Sequence, residues 1–173
     1  HVYEDELQGM LYLSKVDQSL RTNGAQFALA LQHDPSNPLS KAHDHLMDVH
    51  ISKLKEGLRE ATDNWKSYLD APHDDEERKQ IEEARKAIDQ YPNLINSASA
   101  YLAEGHFSSD ASIALVKESV SVGNNARKAI ENLLDLKSAR IKRSYEVANS
   151  SYQQSRYVMI GIVIGTLLIC LLL

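Results

Sequence analysis

Residues 81–102 read IEEARKAIDQYPNLINSASAYL, and this stretch decides the fold. Apolar and small residues recur in it at steps of three and four, which places them on one side of a helix, while charged residues occupy the other side. The stripe consists of Ile81, Ala84, Ile88, Tyr91, Ile95, Ala98 and Leu102. The pattern predicts an amphipathic helix that packs against partner helices, with a kink where Pro92 removes a backbone donor.

Three other segments show related patterns. The segment before this one has a single stripe, which consists of Met47, Ile51, Leu54, Leu58, Ala61, Trp65 and Tyr68. The first segment has two stripes, one with Leu13, Val16, Leu20, Phe27 and Ala30, the other with Leu7, Met10, Ser14, Asp17, Arg21, Gly24, Ala28 and Leu31. The last segment also has two, one with Ile113, Val116, Val120, Ile130, Leu134 and Ile141, the other with Leu115, Val122, Ala126, Ala129, Leu133 and Leu136. A helix with two stripes needs a second neighbour.

Short stretches rich in turn-forming residues separate the four segments, at residues 34–38, 71–75 and 105–110. Ser40 and Asp110 are the expected N-caps of the second and fourth helices. The sequence therefore predicts an all-α fold. We expect an antiparallel up-down four-helix bundle that forms a homodimer through its first and fourth helices.

The carboxyl-terminal residues 158–173 carry no charge and predict a transmembrane segment. The long fourth helix is expected to continue into it without a break from about residue 109. As a helix this stretch rises roughly 24 Å, less than the ~30 Å of the hydrocarbon core, so we expect the chain to stop inside the span. His1 in place of Met indicates a cut or processed amino end. The predicted division is a helical bundle over residues 1–156 and the start of a membrane helix over residues 157–173.

The composition argues against several classes of protein. The 173 residues carry 19 Lys and Arg against 24 Asp and Glu, a net charge of −5, with a single Cys. An acidic chain is not attracted to phosphate backbones, so no nucleic acid partner is expected, and one Cys cannot form an internal disulfide. Motifs such as a Gly-rich phosphate loop or a nucleophile elbow are missing from the sequence, so we expect neither an enzyme nor a cofactor.

Three stretches of sequence carry a resemblance to a known family. They are residues 18–26 (QSLRTNGAQ), 91–96 (YPNLIN) and 100–105 (AYLAEG). With the four helices and the apolar end, they make nearly the whole chain resemble the periplasmic four-helix-bundle sensor domain of bacterial methyl-accepting chemotaxis proteins, the transducers related to the aspartate and serine receptors.

This resemblance implies a homodimeric receptor of the bacterial inner membrane, with residues 1–156 in the periplasm and residues 157–173 opening the second transmembrane helix. An earlier span before His1 is implied as well. After Leu173, the resemblance implies a cytoplasmic signalling region that works with a kinase and adaptor complex.

Members of this family bind small anions between the first helices of two subunits and the start of the fourth helix, which directs attention to Arg21. A guanidinium at a subunit seam can bind a carboxylate through two hydrogen bonds. Thr22 and Gln26 are expected to complete the site from the first helix. Ser112 and Ser119 are the expected partners on the fourth helix.

The identity of the ligand follows from a departure from the aspartate receptor, whose first helix supplies several arginines where this chain supplies only Arg21. We therefore expect a di- or tricarboxylate in preference to an amino acid, with an aromatic acid as a further candidate. Binding at the dimer interface is expected to signal across the membrane by displacing the fourth helix. The alternative role for Arg21 is a salt bridge with Asp17.

Metal-ligand residue types gather at the predicted start of the second helix, in His43, Asp44, His45, Asp48 and His50. On a helix, His43 and His50 share one face and His45 points elsewhere. Helical zinc sites normally pair ligands at a spacing of three or four. The sequence therefore favours a solvated helix start, and no metal is expected.

Two groups of basic residues also need an interpretation. Arg78 and Arg85 lie one heptad apart and could form a second anion site, but Glu82 and Asp89 are placed to neutralise them. A basic patch near the end of the bundle is interpreted as a solvated stalk in preference to a contact with lipid headgroups. It consists of Lys137, Arg140, Lys142 and Arg143.

Two alternative functions share the predicted architecture. One is a cytosolic helical-bundle tether or adaptor held by a carboxyl-terminal tail anchor, and the other is the sensor domain of a histidine kinase. Residues beyond Leu173 and a span before His1 would support a receptor, whereas a natural terminus at Leu173 would support the tail anchor.

Overall fold

The computed structural model describes residues 2–107 and 109–172, and within them it contains four α-helices and no strand. The helices are α1 (Val2–Leu31), α2 (Asp48–Leu69), α3 (Asp75–Ala103) and α4 (Asp110–Leu172), and a short 3-10 helix (Pro38–Ala42) lies in the connection between α1 and α2. Each helix packs against the next along the chain, and α1 also packs against α4. This closed ring confirms the predicted four-helix bundle.

The core of α1, α2 and α3 follows the predicted stripes. Every residue of the inner α1 stripe and of the α3 stripe is buried, and so is the α2 stripe apart from the half-buried Met47. The α3 helix continues through Pro92. Two helical glycines allow close packing at mid-bundle, because a Cβ on Gly57 would lie 2.1 Å from Asn23 Oδ1 and one on Gly123 would lie 2.9 Å from Tyr91.

The core face of α4 differs from both predicted stripes. Ala126, Ile130 and Leu133 are buried, but the same face continues through Ser112, Ser119 and Lys137, which are also buried. Ile113 and Val120, predicted to be in one stripe with Ile130, are exposed. Apolar periodicity does not reveal this face, because half of its residues are polar.

The helix ends correct two predicted caps. The second helix begins at Asp48, and Ser40 lies instead in the 3-10 helix. Asp110 is the first residue of α4, and the capping oxygen is Ser109 Oγ, which accepts the Ser112 N–H at 3.2 Å. The α3 helix ends in a Schellman motif at Gly105, whose φ of 80° suits glycine.

The α4 helix is a single element of 63 residues, about 94 Å long. It leaves the bundle near Ser144, and beyond that residue the described side chains are exposed, apart from the half-buried Gln153 and Gly165. We call the end where α4 leaves the bundle the proximal end, and the opposite end, with the 32–47 and 104–109 connections, the distal end. Among residues 2–107 and 109–172, none of the helices combines the length and the apolar character needed to cross a membrane.

Candidate functional site

Arg21 lies where α1 faces α4, and it takes part in a ring of four charged side chains. Arg21 Nε contacts Asp17 Oδ2 at 2.7 Å, and Arg21 Nη2 contacts Glu131 Oε1 at 3.0 Å. Arg127 from α4 contacts the same two carboxylates, at 3.4 Å and 3.3 Å. We call these four residues the arginine crevice. The alternative expected for Arg21, a salt bridge with Asp17, is therefore present, and Arg127 is a second cation that the sequence did not indicate.

A cavity of about 160 Å³ adjoins the arginine crevice. Its lining combines polar residues of the crevice with the apolar interior of α1, α3 and α4, including Leu20, Phe27 and Tyr91. Ser119 also lines it, although its hydroxyl already donates to the Leu115 carbonyl at 2.7 Å. The cavity is small, and Val120, one of its lining residues, is 51% exposed.

The structure separates the other predicted ligand residues from Arg21 within one chain. Thr22 and Gln26 face α2, where they line a groove of about 700 Å³. Ser112 points into the bundle core, where its hydroxyl has no hydrogen-bond partner among the described residues. Of the predicted set, Ser119 lines the same cavity as Arg21, and the other three residues do not line it.

Four histidines converge at the distal end, and we call them the histidine cluster. They are His33 just after α1, His43 and His45 in the connection, and His50 in the first turns of α2. Each contributes one ring nitrogen, and these nitrogens all lie within 4.8 Å of one another. The expectation that His45 points away was wrong, because residues 43–47 are not helical and the connection folds back over α2. His33 lies ten residues before His43, and the fold brings it to the other three histidines.

The histidine rings have defined partners on their outer sides. His50 Nδ1 lies 2.8 Å from Gln26 Oε1, His45 Nδ1 lies 3.0 Å from Asp44 Oδ1, and His43 Nε2 lies 3.2 Å from Gln32 Oε1. Gln26, predicted to bind ligand, is therefore a partner of a histidine here. Burial, followed by the neighbouring imidazoles, lowers the pKa of both His33 and His50.

The proximal end contains a network of buried charges that joins all four helices. Lys137 Nζ contacts Glu77 Oε1 at 2.7 Å and Glu6 Oε2 at 2.9 Å. Arg140 Nη1 lies 2.9 Å from Glu77 Oε2, and its Nη2 lies 2.6 Å from Asp74 Oδ2. These five residues, with Tyr68, whose hydroxyl donates to Glu77, form what we call the ion network.

The ion network corrects the interpretation of the basic patch. Lys142 and Arg143 are exposed as expected, but the Lys137 side chain is only 6% exposed and that of Arg140 only 18%. Gly9 makes room for Lys137, since a Cβ there would lie 3.1 Å from Lys137 Cε. Burial raises the pKa of Glu77, but the contacts with Lys137 and Tyr68 outweigh it, so the pKa lies below its ordinary value.

Arg78 and Arg85 do not converge on a shared site. Arg78 contacts Asp75 at 3.4 Å, and Arg85 contacts Glu82 at 3.5 Å. Both pairs lie within α3. Glu82 thus neutralises Arg85 as expected. These exposed i,i+3 pairs are typical of a solvated helix face.

The comparison with known proteins gives a family over most of the chain. A family model described as a four helix bundle sensory module for signal transduction matches residues 1–152. No curated protein and no solved structure matches the chain. The matched range covers the bundle with the arginine crevice, the histidine cluster and the ion network.

Proposed function

The chain belongs to the family of four helix bundle sensory modules for signal transduction, and from this premise we propose that it binds a small organic acid at the arginine crevice as the sensor domain of a bacterial chemoreceptor. We propose a binding role and not an enzymatic one. The family supports sensing over the tether or adaptor function.

The observation that carries this proposal is the sharing of two carboxylates by two arginines on an accessible face. Among the described residues, Glu131 contacts Arg21 and Arg127 alone, at 3.0 and 3.3 Å, and its side chain is 47% exposed. A ligand carboxylate can take the place of Glu131, because guanidinium groups bind carboxylates through paired hydrogen bonds. A di- or tricarboxylate suits the site, since it offers a second acid group.

A dimer through α1 and α4 is part of the same proposal. Large apolar side chains are exposed on both helices, with Leu7 and Leu11 on α1 and Ile113 and Val120 on α4. Exposed apolar residues close to a polar crevice favour a second copy of the chain as the neighbour.

Signalling in this proposal depends on the link between α1 and α4. The arginine crevice joins the two helices, so a ligand that displaces Glu131 favours a different packing of α4 on α1. The uninterrupted α4 helix can carry that displacement beyond the bundle, where a flexible linker would lose it. We propose that residues 158–173 enter the bacterial inner membrane, with the bundle in the periplasm and a cytoplasmic signalling region beyond.

An amino acid is the second candidate ligand, and a specific observation favours it. The structure places Asp17 and Glu131 beside both arginines. A carboxylate on the arginines and an ammonium on these acids would fit the same crevice.

Calorimetric titration of the purified 173-residue chain in detergent tests the proposal. The ligands are succinate, citrate and aspartate. Arg127→Gln and Arg21→Gln are each expected to weaken binding about tenfold or more, because a charge-assisted bond is lost. Glu131→Gln should strengthen binding several-fold, because the competing carboxylate is removed.

Arg78→Gln is the matched control, as Arg78 is an exposed arginine with one acidic partner on its own helix. Its affinity should equal that of the unmodified chain. Tighter binding of aspartate than of succinate would select the amino acid. Equal affinity in the two crevice variants and the control would contradict the proposal.

A further inference from the structure

The histidine cluster has the composition of a metal centre. We propose that His33, His43, His45 and His50 bind a divalent transition metal ion, with Zn²⁺ as the reference ion, at the distal end of the bundle. Four side chains from three segments bring one nitrogen each within 4.8 Å of the others. This site is separate from the arginine crevice. It lies between the end of α1 and the start of α2, whereas the crevice lies between α1 and α4.

The hydrogen bonds around the cluster orient the rings for this role. Asp44 can only accept, so His45 Nδ1 carries the proton and Nε2 offers a lone pair. Gln26 Oε1 does the same for His50, and Gln32 Oε1 holds the outer nitrogen of His43. Partners of this kind orient histidine ligands at metal sites and fix their tautomers.

Two contacts inside the cluster call for a cation. His45 Nε2 and His50 Nε2 lie 2.9 Å apart, and with both Nδ1 atoms protonated their lone pairs face each other. In addition, His33 Nε2 is buried with no hydrogen-bond partner among the described residues. A metal ion relieves both.

The donor set selects the class of ion. Neutral imidazole nitrogens suit Zn²⁺, Cu²⁺, Ni²⁺ and Co²⁺, whereas Mg²⁺ and Ca²⁺ prefer oxygen ligands. At Zn–N distances of about 2.0–2.1 Å, the nitrogens of a tetrahedral site are roughly 3.4 Å apart. The four nitrogens of the histidine cluster now lie within 4.8 Å of one another. Metal binding would therefore draw the 32–47 connection closer to α1 and α2.

The test is a Zn²⁺ titration of the chelator-treated 173-residue chain, in competition with a chromophoric chelator. We expect one Zn²⁺ per chain. His45→Gln and His33→Gln should each weaken binding about tenfold or more, because one of four ligands is lost. Asp44→Asn should weaken it less, as expected for a residue that orients a ligand. Circular dichroism of each variant checks that the helices are intact.

His106→Gln is the matched control, because His106 is a half-exposed histidine at the same end of the molecule, with its side chain beside Glu104. It should bind Zn²⁺ as the unmodified chain does. Co²⁺ adds a spectroscopic test, since tetrahedral nitrogen coordination gives intense visible absorption. Absence of Zn²⁺ binding, or losses below twofold in both His45→Gln and His33→Gln, would overturn the proposal. That result would leave the proposed binding of organic acids at the arginine crevice unaffected.

Discussion

The two ends of the bundle both contain buried polar groups, but they treat them in opposite ways. At the proximal end each buried charge of the ion network faces an opposite charge, as Lys137 does with Glu77 and Glu6. At the distal end the histidine cluster brings four imidazole rings together, and one buried nitrogen of His33 is without a partner in the described part of the chain. The charges of the ion network thus neutralise one another, whereas the histidine cluster has no opposite charge of this kind among the described residues and gains from a metal ion.

This difference suits a sensory module. The ion network joins all four helices at the level where α4 leaves the bundle, so it holds the helix that transmits the signal in the proposed function. A site that changes on binding is better placed where the native contacts are weakest. The contrast predicts large losses of stability from changes at the proximal end and small ones at the distal end.

The largest effect is expected from Lys137→Met. Glu77, with 2% of its side chain exposed, would lose its closest cation, and Glu6 would lose one too. We expect a loss of about 3 kcal/mol in the free energy of unfolding, the lower end of the range for a broken buried pair, because Arg140 still contacts Glu77. Urea unfolding followed by circular dichroism measures it.

Lys128→Met is the control for this change, since Lys128 is exposed on the same helix. It should alter stability by less than about 0.5 kcal/mol. A loss below about 1 kcal/mol in Lys137→Met would show that the network does not hold the proximal end.

The next effect is the gain from zinc at the distal end. At a free Zn²⁺ concentration a hundredfold above the dissociation constant, binding to the folded chain alone adds about 2.7 kcal/mol. Thermal unfolding with and without Zn²⁺ measures the gain. The same rise in His45→Gln as in the unmodified chain would remove the histidine cluster as its source.

Acid should weaken the proximal end. The pKa of Glu77 is lowered against the effect of burial by Lys137 and Tyr68, and the pKa of Asp74 is lowered by the Glu77 N–H and by Arg140. The folded chain thus binds fewer protons than the unfolded chain, so the free energy of unfolding should fall as the pH drops below about 4.5, the ordinary value for Glu. In Glu77→Gln the fall should be shallower, and an equal slope would exclude Glu77 as a cause.

The smallest effect is expected from His45→Gln without metal. The His45 side chain is 35% exposed and contributes no buried apolar area to the core. Stability in the presence of a chelator should change by less than about 0.5 kcal/mol, as urea unfolding will show. A loss comparable to that of Lys137→Met would erase the contrast between the two ends.

The fold could be predicted where burial and apolar character coincide. The stripes of α2 and α3 and the inner stripe of α1 needed only helical periodicity. On α4 this method failed, because Ser112, Ser119 and Lys137 occupy core positions without apolar side chains. The true face follows from Ala126 and Leu133 if steps of three, four and seven residues are allowed to end on polar side chains as well.

The candidate sites were harder to predict because they depend on contacts between distant segments. Arg21 was named from the sequence, but Glu131, which it contacts, and Arg127, which shares that carboxylate, lie about a hundred residues later in the chain. The histidine cluster was missed for a local reason, the assumption of a helix from Ser40, which turned His45 away from His43 and His50. The turn-forming residues 34–38 could have suggested a longer connection, but only the fold brings His33 to it.

Amide hydrogen exchange of the 173-residue chain, with and without Zn²⁺, tests the central contrast most directly. Without metal, we predict fast exchange in residues 32–51 and slow exchange in the parts of α3 and α4 around Glu77 and Lys137. Zinc should slow the first region strongly and leave the second almost unchanged. Faster exchange at the proximal end than at the distal end, or the same effect of zinc at both ends, would contradict the account.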